Sequence, residues 1–187
     1  PFLKNTYLSS NINDENMSHI FALANLLKIT NKSFFNSLNS FKGLPHRYEI
    51  FLKRKNCIFI NDSKATSFEA TKFALKYTKN IYWILGGLPK KKDKIILRDV
   101  KKNIKRSYII GKNINFFKNQ IQNKINFYEA KTLKNSVIQA LKDISNNKEK
   151  NISLLFSPAS ASFDQFLNFE KRGEEFKKLS RFYARKY

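Results

Sequence analysis

Five short apolar runs punctuate the chain, at Cys57–Ile60, Ile81–Leu85, Tyr108–Ile110, Ile125–Tyr128 and Ile152–Phe156, with helical stretches such as Ser67–Tyr77 and Leu133–Ile144 between most of them. Runs of three to five apolar residues are too short for buried helices, and their alternation with helices restricts the chain to an α/β layered domain. The spacing predicts a mainly parallel, Rossmann-like sheet with flanking helices. Before these runs, Met17, Ile20, Phe21, Leu23, Ala24 and Leu27 recur at helical spacing over Asn16–Ile29, and a second helical segment covers Phe34–Phe41. Gly43 and Pro45 break that pattern, and Tyr48–Lys53 alternates like a strand. A boundary therefore falls near Gly43, giving a helical segment over 1–43 and an α/β domain over 44–187. The two leading helices are expected to expose an apolar face that they cannot cover themselves.

Composition removes several classes. The 187 residues are 42% hydrophobic and 14% aromatic, which excludes a disordered chain. Cys57 is the single cysteine, so no intrachain disulfide exists, and a lone thiol suits a reducing, cytoplasmic compartment. No apolar run reaches the roughly 18–20 residues that span a bilayer, and no membrane partner is expected. The start at Pro1-Phe-Leu-Lys, without Met or a signal-peptide layout, predicts a piece of a longer cytoplasmic protein. The net charge of +22 would attract any polyanion. The lysines are scattered, however, only Lys90-Lys91-Lys92 forms a run, and no nucleic-acid module is present. No nucleic-acid partner is expected.

In parallel sheets ligands bind beyond the carboxyl ends of the strands. Three of the runs end in unusual polar loops: Asn61-Asp-Ser-Lys-Ala-Thr66, Gly86-Gly-Leu-Pro-Lys90 and Ser157-Pro-Ala-Ser-Ala-Ser162. Two of only five glycines are adjacent at Gly86-Gly87, where the backbone must bend sharply or approach something closely. Asp62, Lys64 and Thr66 alternate and so share a face if extended geometry persists, placing a carboxylate, an ammonium and a hydroxyl together. Capping of a helix near Ser67 by Asp62 or Ser63 accounts for part of the same pattern. Lys90 offers a point charge for a carboxylate or phosphate, or is one more solvated lysine. Arg47 can reach a phosphate or pair with Glu49. His19, His46 and Cys57 are too scattered for a zinc set. No G-x-x-x-x-G-K-[ST] loop occurs, so any main nucleotide-phosphate cradle lies elsewhere.

Taken in order, Asn13-x-x-Asn16, Gly43-Leu-Pro-His-Arg-Tyr-Glu49, Asn61–Thr66, Leu85-Gly-Gly87 with Lys90, and Ser157-Pro-Ala-Ser-Ala-Ser-Phe-Asp-Gln-Phe-x-Asn-Phe-Glu-x-Arg-Gly173 resemble the carboxyl-terminal part of the Mur ligase family, in its D-glutamate-adding branch. The resemblance implies the tail of a central ATPase domain over 1–43 and a complete Rossmann-like third domain over 44–187. It implies an ATP-dependent, amide-forming ligase of peptidoglycan synthesis that acts as a monomer. Its partners would be UDP-N-acetylmuramoyl-L-alanine and D-glutamate, with Mg²⁺ ligands outside this chain. By the same resemblance Asn13 and Asn16 would contact the adenine end of ATP, Arg47 its phosphates and Asp62 its ribose. Lys64 and Thr66 would face the reacting groups, while Thr66, Lys90, Ser162, Phe163 and Phe169 would hold D-glutamate. Two positions depart from the family pattern: Ile12 replaces a His, and Ser67 an Asn. A basic nucleic-acid-binding module and a ligase for another amino acid are the alternatives.

Overall fold

The computed structural model describes Asn5, Leu8 and residues 14–90 and 92–187. It divides into two compact units, Pro1–Leu44 and Pro45–Tyr187. In the first, helices α1 (Asp14–Leu26) and α2 (Asn31–Ser40) pack around Leu8, Ala24, Phe34 and Leu38. Thr30 caps α2 by accepting a hydrogen bond from the Ser33 amide at 3.3 Å. Phe21, Leu23, Leu26 and Leu27 remain exposed, the uncovered apolar face expected of these helices.

The second unit is a six-stranded sheet in the order β1-β2-β6-β3-β4-β5. Its strands are β1 (Glu49–Arg54), β2 (Cys57–Asn61), β3 (Ile81–Gly86), β4 (Ile104–Ile110), β5 (Phe127–Lys131) and β6 (Ile152–Phe156). A tight turn at Lys55-Asn56 joins β1 antiparallel to β2, and every other pairing is parallel. The chain steps outward from β2 through β3 and β4 to β5, then returns to insert β6 between β2 and β3. That return makes β2, β6 and β3 neighbours, so the three polar loops that follow them emerge side by side.

Helices α3 (Phe68–Tyr77) and α4 (Ile114–Ile121) cover one face of the sheet, and α5 (Leu133–Ser145) and α6 (Phe169–Tyr183) cover the other. Alternate residues of one strand serve different layers. Trp83 and Leu85 join Leu75 and Phe117, while Tyr82 and Ile84 join Leu141 and Phe176. Burial on both faces is why the central strands read as continuous apolar runs. Ser67, Thr132 and Asn168 cap α3, α5 and α6, accepting from amides at 3.3, 3.1 and 2.8 Å. The α3 cap is thus Ser67 itself, not Asp62 or Ser63.

Two strands differ from the sequence expectation. The edge strand β5 is displaced to Phe127–Lys131, because the chain leaving α4 first turns at Asn123, whose φ is +65°. The strand β4 starts earlier, at Ile104, carrying Lys105 and Arg106 on the sheet's amino-terminal rim.

Candidate functional site at the strand ends

Each glycine of the predicted pair makes a close approach. A Cβ on Gly86 would lie 2.1 Å from the Ile110 carbonyl oxygen, and one on Gly87 would lie 2.4 Å from that of Ala161. Both have φ values, +126° and +139°, that side chains rarely adopt. The bare backbone lets Leu88 and Ala161 exchange a pair of hydrogen bonds at 2.9 and 3.1 Å. This bridge lashes the loop carrying Lys90 to the loop carrying Ser162. Asn113 donates to the Gly87 carbonyl at 2.9 Å, and Asp164 accepts from the Lys112 amide at 3.0 Å, tying the end of β4 to the same assembly.

The loop after β2 is locked to the start of α6 by a buried guanidinium. Arg172 is 1% exposed and donates to Ser63 Oγ at 3.1 Å, to the Ser63 carbonyl at 2.9 Å and to the Ser160 carbonyl at 3.0 Å. Burial lowers its pKa to about 10, against the charge of Asp164, which raises it. Ser63 in turn donates to the Phe169 carbonyl at 2.8 Å. One side chain thereby fixes the loops after β2 and β6 and the first turn of α6. In the sequence Arg172 stands only within the Ser157–Gly173 motif, with no role of its own. The available signal was its phase, since Arg172, Phe176 and Ser180 recur every four residues along the buried stripe of α6.

On this frame the expected site residues take definite places. Lys64 is exposed, and its Nζ stands 4.1 Å from the Phe169 ring centroid. Thr66 is half-buried two residues further on. Ser162 is buried beside the Leu88–Ala161 bridge, and Lys90 is exposed beyond it, its amide bonded to Asp93 at 3.0 Å. Phe163 is 70% exposed, so it packs no core. Arg47 is exposed, and its charge favours the ionised form of Asp62. Asp62 itself turns inward. Its Oδ1 accepts from the Tyr48 amide at 3.0 Å and its Oδ2 from Ser157 Oγ at 2.7 Å. Burial raises its pKa to about 6, against the pull of those two bonds and of Arg47. Among the described residues each of these oxygens accepts one hydrogen bond, which leaves it a further lone pair.

His46 is buried between Asn61 and Glu174, with Nδ1 2.9 Å from Asn61 Nδ2 and Nε2 3.4 Å from a Glu174 oxygen. It packs where a side chain on Gly173 would intrude at 2.2 Å. Glu49 pairs with Lys177 at 3.1 Å. Asn16 lies exposed on α1, in the other unit, and Asn13 falls outside the described residues, as does Lys91. Among the described residues no three His, Cys, Asp or Glu side chains cluster to hold a metal ion, and no helix is long and apolar enough to cross a membrane.

No protein-family model matches the chain. Three curated relatives are each named UDP-N-acetylmuramoylalanine–D-glutamate ligase. The protein from Wolbachia sp. subsp. Brugia malayi is 38% identical over 88% of this chain and 33% of its own length. That from Bartonella henselae is 42% identical over 84% and 34%, and that from Rickettsia felis 34% identical over 97% and 40%. The chain thus spans about a third of the length of the relatives it matches. Among solved structures, the MurF ligase of Thermotoga maritima in complex with ADP aligns at a TM-score of 0.61 and 15% identity, over 89% of this chain and 37% of that one. A MurF structure from Acinetobacter baumannii aligns at 0.64 and 13%, over 92% and 38%. These two likenesses are of fold. With relatives 34–42% identical over 84–97% of its length, the chain belongs to the Mur ligase family.

Proposed function

We propose that this chain supplies the D-glutamate-binding part of an ATP-dependent ligase that extends UDP-N-acetylmuramoyl-L-alanine in peptidoglycan synthesis. The supporting observation is the convergence of the loops after β2, β3 and β6, which gathers Lys64, Thr66, Lys90 and Ser162 at one sheet edge around a rigid clasp. In the reaction, ATP transfers its γ-phosphoryl group to the acceptor carboxylate. The amine of D-glutamate attacks the resulting acyl phosphate, and the tetrahedral intermediate collapses with loss of phosphate.

A doubly negative amino acid needs cations and fixed donors. Lys90, Thr66 and Ser162, with the backbone near Phe163 and Phe169, serve that purpose. Lys64, held against the Phe169 ring, neutralises charge developing at the reacting carboxyl, an electrostatic role that depends on prior positioning. Arg47 takes a nucleotide phosphate, and a free lone pair of Asp62 accepts from the ribose. Asn13 and Asn16 meet the adenine end. Residues 1–43 belong to the nucleotide-binding domain and 44–187 to the amino-acid domain of a cytoplasmic, monomeric enzyme. No residue of this chain is assigned to Mg²⁺.

The test is phosphate release from ATP by the enzyme in its full reading frame, with the UDP-sugar-alanine acceptor and D-glutamate, L-glutamate or no amino acid. Release is expected with D-glutamate alone, falling at least ~100-fold in Lys64→Ala and showing a raised KM for D-glutamate in Lys90→Ala. The 187-residue chain by itself is expected to release none, because it lacks a phosphate cradle. Release driven by a different amino acid would reassign the substrate within the family. Loss of all amino-acid dependence would refute the ligase reading.

A further inference from the structure

Arg47, the proposed phosphate contact, sits in an unusual stretch of backbone. His46 has φ +63° and Tyr48 φ +46°. Nine described residues other than glycine have positive φ, and among them only His46 and Tyr48 flank a single residue. The left-handed region is uncommon for side chains of this bulk. Such strain persists only where surrounding groups over-determine the backbone, and it gathers at functional sites. Whatever holds residues 46–48 in place therefore decides how the Arg47 guanidinium is presented.

Three backbone groups beside Arg47 are committed to partners outside 46–48. The His46 amide donates to Glu49 Oε2 at 3.0 Å, the His46 carbonyl accepts from the Lys64 amide at 3.0 Å, and the Tyr48 amide donates to Asp62 Oδ1 at 3.0 Å. Two of these partners, Lys64 and Asp62, already have places in the proposed reaction. The third, Glu49, has none.

Glu49 opens β1, and its half-buried carboxylate ties three elements together. Oε2 also accepts from Asn61 Nδ2 of β2 at 3.2 Å, and Oε1 accepts from Lys177 Nζ of α6 at 3.1 Å. Burial works to raise its pKa, but the bonds from the His46 amide and Lys177 hold it below the ordinary carboxylate value. A brace for a simple turn would need the His46 contact alone. Here the carboxylate is itself clamped from two further sides, which fixes the oxygen that faces the His46 amide. The His46 ring closes the assembly, edge-on to Phe169 with centroids 6.1 Å apart and with Nδ1 2.9 Å from the same Asn61 Nδ2.

We propose that Glu49 is a positioning residue for nucleotide binding: through the His46 amide it fixes the left-handed turn that carries Arg47, and so orients the guanidinium that takes the phosphate. The role rests on the assignment of Arg47 to a nucleotide phosphate. Reach rather than charge is what the geometry asks of residue 49. The acceptor must meet the His46 amide, whereas Lys177 has a second carboxylate, Glu174, at 3.2 Å. The loops carrying Lys90 and Ser162 are joined through the separate Leu88–Ala161 bridge, so D-glutamate binding does not depend on this turn.

The experiment uses the enzyme in its full reading frame, measuring ATP affinity by calorimetry without acceptor and the KM for D-glutamate by phosphate release. Glu49→Asp keeps the charge but withdraws the oxygens by one methylene, and is expected to weaken ATP binding about tenfold with the KM for D-glutamate unchanged. Glu49→Gln keeps an oxygen within reach and is expected to stay within about threefold of the unaltered enzyme. In an Arg47→Ala background, Glu49→Asp should weaken ATP binding by less than about twofold more, because the side chain it acts through is gone. Unchanged affinity in Glu49→Asp, losses that add to those of Arg47→Ala, Glu49→Gln as damaging as Glu49→Asp, or an equal rise in the KM for D-glutamate would each overturn the positioning role. Unchanged ATP affinity in Arg47→Ala would overturn the phosphate assignment itself, and this role with it.

Discussion

A serine hydroxyl has one proton to give. Ser157 Oγ lies 2.7 Å from Asp62 Oδ2 and 2.9 Å from Thr71 Oγ1, so the ionised carboxylate takes that proton and Thr71 must donate to Ser157. When Asp62 is protonated, the chain of donors can run the other way, from Asp62 through Ser157 to Thr71. Burial favours this neutral form, which is why the pKa rises from 3.8 to about 6. The folded state then holds the proton more tightly than the unfolded chain. Its contribution to stability is full below about pH 4 and is lost as pH rises through about 6, a change on the order of 3 kcal/mol. Asp62→Asn should remove that slope. Urea midpoints measured between pH 4 and 7 should show wild type losing stability relative to the variant, and parallel curves would place the burden on another group. None of this was legible from the alternating Asp62, Lys64 and Thr66, because the partner that turns Asp62 inward lies 95 residues away. The exposed Lys64, by contrast, was readable as a candidate from the loop it occupies.

Strands and helices differed in how far their sequences exposed them. The central strands were readable because both faces are buried, so apolar residues follow one another without a break. The edge strand β5 was misplaced because Tyr128, Glu129 and Lys131 are exposed there. Helix α6 went unread because only Arg172, Gly173, Phe176 and Ser180 are buried in its fifteen residues, a stripe narrower than most amphipathic helices present. The double glycine was readable as a close approach, and the structure names what is approached. Gly87→Ala must push apart the Leu88–Ala161 bridge and hold a strained φ, and is expected to cost about 3 kcal/mol. Removing the α5 cap with Thr132→Ala should cost about 1 kcal/mol. Denaturant unfolding of the two variants should preserve that order. A reversal would mean that the strand-end loops relax around a side chain.

At the scale of the whole molecule, the unit Pro45–Tyr187 contains both apolar layers, all six strands and the clasp around Arg172. A unit with its own core should fold alone. Residues 45–187 produced separately are therefore expected to unfold in a single cooperative transition, with a urea midpoint close to that of the same sheet in the 187-residue chain. A non-cooperative transition would show that the sheet depends on residues 1–44. The insertion of β6 between β2 and β3 was not legible in the sequence. Nothing local in Ile152–Phe156 distinguishes a central strand from an outer one.

The clasp itself has a further consequence. Arg172 meets carbonyl and hydroxyl dipoles in a buried setting, with no carboxylate among its hydrogen-bond partners in the described residues. Mobile ions screen exposed charges over about 8 Å at physiological ionic strength, but they do not enter a dry, hydrogen-bonded pocket. Changes in ionic strength will alter how strongly the +22 surface draws anions toward the protein, while the arrangement of the strand-end loops stays the same. Attraction and architecture are thus electrostatically uncoupled in this domain.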